Sequence, residues 1–470
     1  MIIIILVAAL ILRLWNLNQS LWLDEAAQAI ESSQTIPVIW GHMQADFHPP
    51  LFNLLLHFWQ SLGTSEWTMR VLPLLFGLGS IMVIYFLTKE LFGKKVAQIA
   101  ALLLAINPFH IYYSQELRSY IIDSFFAVLA TYFFWRSLHD SRKWWLGFCL
   151  SMAAFFYTSY FAVFLLLAFG LFLLSQKDYR FAIRNFLIAA VVAGMLFLPW
   201  VPQIPLQLQI SQGFAADLPG WKDAVASPVY KVIPLTLVKF IIGQIDFRPI
   251  LQYILISAGL LALYGWVIFV GRDFKSKAWV FILSLFTLGL VLPVIFSIFL
   301  QIASPKRLIL TLPLLIILLS FGIDKLKGKI YAAFLIVFVL MNLIFLTIYQ
   351  TNPIFQREDW RSAVRDVEEK SDSMTAVVFK FSAPFAPYTW YSHKGLPVYG
   401  ISNTLAFNQE FLASELPKKL EDKRKVFVFQ YLEELTDKDK QTEKLLGKLG
   451  YGKKQTLDYP GVGFVYEYIR

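Results

Sequence analysis

The sequence predicts an α-helical polytopic membrane protein that carries a small α/β domain after residue 350. Three observations lead there. The chain is 57% hydrophobic and only 16% charged, where soluble globular chains carry roughly 25% charged residues. Residues 1–350 are mostly long apolar runs, whereas 353–470 are rich in Lys, Glu and Asp. The basic residues of the first part collect in short breaks between the runs. That pattern orients a chain in a bilayer, so the net charge of +10 points to a membrane and not to a nucleic acid.

A helix needs about 20 residues to span the hydrocarbon. The candidate spans, about eleven, are 1–16, 67–88, 94–109, 118–136, 144–158, 160–175, 183–200, 248–270, 278–300, 307–323 and 329–350. The first run, MIIIILVAALILRLW, has no basic leader and no small-x-small cleavage site, so it is expected to stay as an anchor. The stretch 231–246 reads as a re-entrant or partial helix.

Five basic sets follow: Lys89, Lys94 and Lys95; Arg136, Arg142 and Lys143; Lys177, Arg180 and Arg184; Arg272, Lys275 and Lys277; Lys325, Lys327 and Lys329. With eleven spans all five fall on one side, which the positive-inside rule makes cytoplasmic. The opposite loops are 17–66, 110–117, 201–247 and 301–306, and the first of them holds no Lys or Arg. The N-terminus is then on the cytoplasmic side of the cell membrane, and the tail 351–470 lies outside the cytoplasm.

The first outer loop is long, and loops beyond about 12–15 residues are uncommon unless they serve a function. It reads as two amphipathic helices, around 25–33 and 50–62, with Trp15, Trp22, Trp40 and Trp59 at headgroup level. It also holds the adjacent acids Asp24 and Glu25. The plain account of these is helix capping, with Asp24 as the cap and Glu25 favoured by the helix dipole. The chemical account is a general base that takes a proton from an attacking hydroxyl. The two are compatible, since a cap fixes a rotamer.

In DFHPPLFNLLLHFW, Asp46 and His48 either start a helix at the Pro pair or line the same cavity. In YSQELRSY, Ser114 either caps a helix beside a local Glu116–Arg118 contact, or Tyr113, Gln115, Glu116 and Arg118 face a substrate. Lys306 and Arg307 break the charge rule by standing on the outer face at the start of a span. An anionic lipid headgroup explains them, because a cation at the interface costs little.

The single Cys149 excludes an intrachain disulfide, and the six His show no metal-ligand spacing. No metal and no cofactor is expected, although a carboxylate-bound divalent cation stays open. In the tail, 375–381, 425–432 and 463–469 read as strands and 357–370 and 438–450 as helices. This domain is read as a structural cap before acceptor recognition.

LWLDEA, HPPLFNLLLHFW, RVLPLLFGLGSIMVIYFLTKELFGKKVAQIAALLLAINPFHIYYSQELRSY, SPKRLILTLPLLIILL and REDWRSAV together resemble the polyprenyl-phosphate-sugar-dependent glycosyltransferases of the C-type fold. The nearest branch is akin to protein O-mannosyltransferases and the aminoarabinose transferase of lipid A, glycosyltransferase family 39-like. The resemblance implies a sugar on a polyprenyl phosphate, transferred with inversion to an acceptor glycan, lipid or protein outside the cytoplasm. Asp24 matches the family's acid of the first outer loop, and Glu25, His48, Glu116 and Arg118 match neighbouring positions. Lys306 and Arg307 match a late basic pair expected at the donor phosphate. Many aminoarabinose-type relatives carry a basic residue just before the Pro pair. Asp46-Phe47-His48 stands there instead, which shifts the phosphate to Arg118, Lys306 and Arg307.

A flippase of lipid-linked sugars is the competing class, but it would favour internal repeats and broken segments at the midplane, and no clear repeat is found. A receptor or assembly role leaves the paired acids without a purpose.

Overall fold

The computed structural model describes residues 1–42, 48–217, 227–383, 385–403 and 406–470. The chain forms two compact units. The first is Met1–Leu17, Thr35–Gln207 and Val225–Asn352, and the second is Asn18–Gln34, Leu208–Ala224 and Pro353–Arg470.

The first unit is helical. Ile2–Leu14, Glu66–Phe92, Lys94–Ile106, Tyr120–His139, Trp144–Phe156, Ala162–Ser175, Ile183–Phe197, Ile250–Val270, Lys277–Phe296, Leu312–Lys325 and Gly328–Thr351 are helices at each place where a span is expected. Among the described residues, six helical stretches are long and apolar enough to cross a membrane. They become seven if Lys94–Ile106 and Pro108–Ser114, bent by 60°, form one span. Ile2–Leu14, Trp144–Phe156 and Ala162–Ser175 are apolar but shorter. Polar breaks such as 157–160 end these helices before the length of a full crossing.

Local chemistry sets the ends. Ser65 accepts from the Thr68 N–H at 3.2 Å, Asn107 from the His110 N–H at 2.9 Å, and Ser276 from the Trp279 N–H at 3.3 Å, each filling an N-terminal orphan donor. Ser114, a candidate cap on sequence, does otherwise. Its hydroxyl donates to the His110 carbonyl at 2.6 Å and accepts from Arg13 Nε at 3.2 Å. The approach is close: a Cβ on Gly77 would lie 2.3 Å from Ser114 Oγ. The partial helix expected at 231–246 is Val229–Ile242. The loop 17–66 holds Ile36–His42 and Leu51–Trp59 in this unit, the former a helix that the sequence did not signal.

The second unit is the α/β domain joined by the helix Leu23–Ser32. Its strands are β1 (Thr375–Phe379), β2 (Val398–Gly400), β3 (Ser402–Asn403), β4 (Ala406–Phe407), β5 (Lys425–Phe429), β6 (Gly452–Tyr459) and β7 (Gly463–Ile469). The main sheet runs β2-β1-β5-β7-β6, and β3 pairs with β4. β1 lies parallel to β2 and β5, while β7 is antiparallel to β5 and β6.

Strand alternation explains the core. Val377, Phe379, Phe427 and Phe429 face a cluster with Trp360, Phe385 and Val465, against which Leu23 packs. Ala376, Val378, Val426 and Val428 face the opposite cluster with Leu416, Leu446 and Tyr451. Both faces of β1 and β5 are covered, which is why these strands read as unbroken apolar runs.

At the end of this core, Lys380 is fully buried among Glu433, Glu443 and Asp437, at 2.6 Å from Glu443 and 3.6 Å from Asp437. Burial alone would lower its pKa, but hydrogen bonds to Glu433 and Glu443 outweigh this and raise it. Lys380→Ala would leave three acids facing a common void. The expected cost is on the order of 3–5 kcal/mol, read as a lowered unfolding temperature in the full chain. An unchanged unfolding temperature would contradict this role.

Candidate active site

The acid pair sits in the first turn of Leu23–Ser32, whose first residue follows the N-cap Trp22. Asp24 is therefore not the cap, contrary to the simple capping account. Glu25 does that work: it is fully buried and its carboxylate reaches back to the Trp22 N–H at 3.5 Å. Asp24 stays partly exposed. The two carboxylates thus separate into a buried one that holds the helix and a partly exposed one.

The segment before this helix is stitched to the tail within the second unit. The Leu21 N–H donates to the Tyr391 hydroxyl at 2.7 Å, the Arg357 N–H to Gln19 Oε1 at 2.8 Å, and the Arg361 N–H to Ser20 Oγ at 3.0 Å. Arg361 Nη2 also donates to the Asn18 carbonyl at 3.2 Å. Glu358, which sequence reasoning left unassigned, accepts from Trp360 Nε1 at 2.6 Å and from the Tyr431 hydroxyl at 2.8 Å. Burial pushes its carboxyl above the usual range. Hydrogen bonds from Trp360, Tyr431 and the Leu23 N–H oppose this, and the nearby Asp24 carboxylate adds to it.

In the first unit, Tyr120 gathers several of the expected residues. Lys306 Nζ lies over its ring at 5.3 Å from the centroid, within cation–π reach. His48 meets it edge-on at 6.2 Å and Tyr113 at 5.5 Å. Gln244 Nε2 donates to the Tyr113 hydroxyl at 2.6 Å. His48 does not cap Leu51–Trp59, whose N-cap is Pro50. Arg307 Nη1 donates to the Ile302 carbonyl at 2.7 Å, which curls the loop back on itself.

Gln115, Glu116 and Arg118 occupy the turn after Pro108–Ser114. The Gln115 amide donates to the carbonyls of Arg13 at 2.9 Å and Trp15 at 2.6 Å, anchoring the end of the first helix. Glu116 is buried, and its carbonyl accepts from the Arg118 N–H at 2.8 Å. Asp46 lies outside the described residues.

Two buried groups escaped the sequence reading. Arg13 is fully buried and donates to the carbonyls of Ala9 and Ala105 at 3.1 and 2.8 Å, with Nη2 2.8 Å from His110 Nδ1. Asp123, also buried, hydrogen-bonds the hydroxyls of Thr158 and Ser159. The signal for both was a lone charge inside an apolar run, which inside a membrane is a functional pointer. Among the described residues no group of three or more His, Cys, Asp or Glu is placed to hold a metal ion.

The chain has the fold of the C-type glycosyltransferases. It superposes on ArnT from Cupriavidus metallidurans bound to undecaprenyl phosphate with a TM-score of 0.62 and 13% identity, covering 99% of this chain and 97% of that one. It also superposes on the Archaeoglobus fulgidus oligosaccharyltransferase AglB, in complex with an inhibitory peptide and a dolichol-phosphate. There the TM-score is 0.52 and the identity 14%, over 99% of this chain and 74% of that one. Identities this low speak for the fold alone.

In sequence, residues 47–203 match the family model described as dolichyl-phosphate-mannose-protein mannosyltransferase. YkcB of Bacillus subtilis (strain 168), whose name carries the word mannosyltransferase, is 30% identical over 94 residues. That match covers 20% of this chain and 12% of the length of the curated relative. The resemblance to the polyprenyl-phosphate-sugar-dependent glycosyltransferases is thus upheld in sequence over residues 47–203 and by fold.

Proposed function

We propose that this chain is an integral membrane glycosyltransferase that moves a sugar from a polyprenyl-phosphate donor to an acceptor outside the cytoplasm. The observation that carries the reading is the match of residues 47–203 to a family whose described donor is a sugar on a lipid phosphate. The undecaprenyl phosphate in ArnT and the dolichol-phosphate in AglB, proteins of the same fold, support it.

In this reading, Asp24 takes the proton from the acceptor hydroxyl. The oxygen attacks the anomeric carbon opposite the phosphate, the bond to phosphate breaks, and configuration inverts. Lys306 and Arg307, with Arg118, hold the donor phosphate alike before and during its departure, so they act chiefly on donor affinity. Tyr113, Gln115, Glu116 and His48 line the substrate cavity. No nucleotide takes part, because the sugar–phosphate bond already stores the energy. About eleven spans place the N-terminus in the cytoplasm and residues 351–470 outside it.

The test is reconstitution in lipid nanodiscs with undecaprenyl-phosphate-linked labelled mannose, arabinose or aminoarabinose and candidate glycan, lipid or peptide acceptors. Transfer gives a new glycosidic product and free undecaprenyl phosphate. Movement of intact donor across vesicles, with no product from any donor, would instead mark a flippase.

A further inference from the structure

We propose that Glu358 is a positioning residue for Asp24: its carboxylate, held by Trp360 and Tyr431, accepts the Leu23 N–H and so fixes the first turn of the acid helix from the far end of the chain. This rests on Asp24 being the base.

The first N–H groups of Leu23–Ser32 have no partner inside the helix. Glu25 serves the Trp22 N–H from within. The next donor, Leu23, is served by Glu358, a residue more than three hundred positions later. A carboxylate there also complements the positive end of the helix dipole.

Glu358 is itself rigid. Trp360 Nε1 lies 2.6 Å from one carboxylate oxygen and the Tyr431 hydroxyl 2.8 Å from the other. The Asp359 N–H donates to the Pro460 carbonyl at 2.9 Å. Gly461 follows with φ +74°, and a Cβ there would come within 2.9 Å of Glu358 Cα. A side chain at 461 would push the carboxylate off its place.

The residue type is informative. Three donors converge on one group. A carboxylate has two oxygens that only accept, whereas a Gln amide would turn an NH₂ toward one of those donors. Placing this acid near Asp24 costs repulsion, so the arrangement is poorly explained by stability alone. The α/β domain then supplies the seat of the catalytic helix.

The test uses the full chain in nanodiscs and two readouts. Amide hydrogen exchange of residues 23–28 is compared with that of β1 and β5 as internal reference. The kcat and donor KM are measured with whichever undecaprenyl-phosphate sugar the reconstitution accepts. Glu358→Ala is expected to speed exchange of 23–28 roughly fivefold or more, as for a lost cap. It should lower kcat by about 10–100-fold with donor KM within about twofold, as for a displaced reacting group, and Glu358→Gln should fall in between.

Unchanged exchange at 23–28, or a raised donor KM with normal kcat, would overturn the inference. If Glu358→Ala also loosens β1 and β5, Tyr431→Phe decides. Faster exchange confined to 23–28 supports the inference, and none overturns it. Near-normal transfer by Asp24→Asn sinks the base assignment alone, while the exchange result still judges the cap.

Discussion

Asp24→Asn is expected to lower sugar transfer by roughly 10²–10⁴-fold, the range that a positioned general base supplies, while the protein stays folded and still binds polyprenyl phosphate. The amide keeps the shape of the side chain but cannot take the proton. Its structural cost is small. Asp24 is partly exposed and is not the helix cap, so what is lost is one charge near a helix N-terminus, about 0.3–1 kcal/mol. Chemistry therefore dominates the effect by a wide margin.

Glu25→Gln makes the opposite case. Glu25 is fully buried and closes the turn onto Trp22, so its loss is expected to cost about 1 kcal/mol of stability with a lesser effect on rate. The check is single-turnover transfer beside thermal unfolding for both variants. Near-normal turnover by Asp24→Asn would refute the base assignment.

Arg307→Ala is expected to raise the donor concentration needed for half-maximal rate by about 10–150-fold. A hydrogen bond to a charged group contributes roughly 1.5–3 kcal/mol, and tenfold corresponds to about 1.4 kcal/mol. The kcat should fall much less, since a contact made equally to bound donor and transition state affects KM first. Arg307→Lys should recover only part of the affinity, because an ammonium cannot grip a phosphate with two parallel donors. Lys306→Met should act in the same direction and also remove the cation over Tyr120. Donor titration of the steady-state rate decides. If saturating donor restores no activity to Arg307→Ala, the residue serves something other than donor affinity.

The helices of the first unit were legible because a bilayer demands long apolar runs, and such runs are hard to hide in a sequence. The short helices bounded by 157–160 were legible as helices, but not as spans of a given number. Arg13 was hidden by the same feature that revealed its helix: twelve residues of almost unbroken apolar chain precede it.

In the tail, β1, β5 and β7 were visible as apolar runs. β6, with its GKKQTLDY sequence, was not. It is an exposed edge strand, and edges carry Lys and polar residues that blunt further pairing. The grouping of Asn18–Gln34 with Pro353–Arg470 had no local signal. The bonds that make it, such as Gln19 with Arg357 and Leu21 with Tyr391, join positions over three hundred residues apart. The candidate acids were found from their adjacency, but the burial that sets Glu25 apart from Asp24 had no signal in the sequence.

The acid helix is expected to work on the face of the membrane away from the basic loops. Ser33, exposed at the end of that helix, is the place to test it. In a Cys149→Ser background, Ser33→Cys is treated in intact cells with a membrane-impermeant maleimide, alongside Ser141→Cys in the basic loop. Ser33→Cys is expected to be labelled from outside and Ser141→Cys only after the membrane is opened. Labelling of Ser141→Cys from outside, with Ser33→Cys protected until lysis, would contradict it.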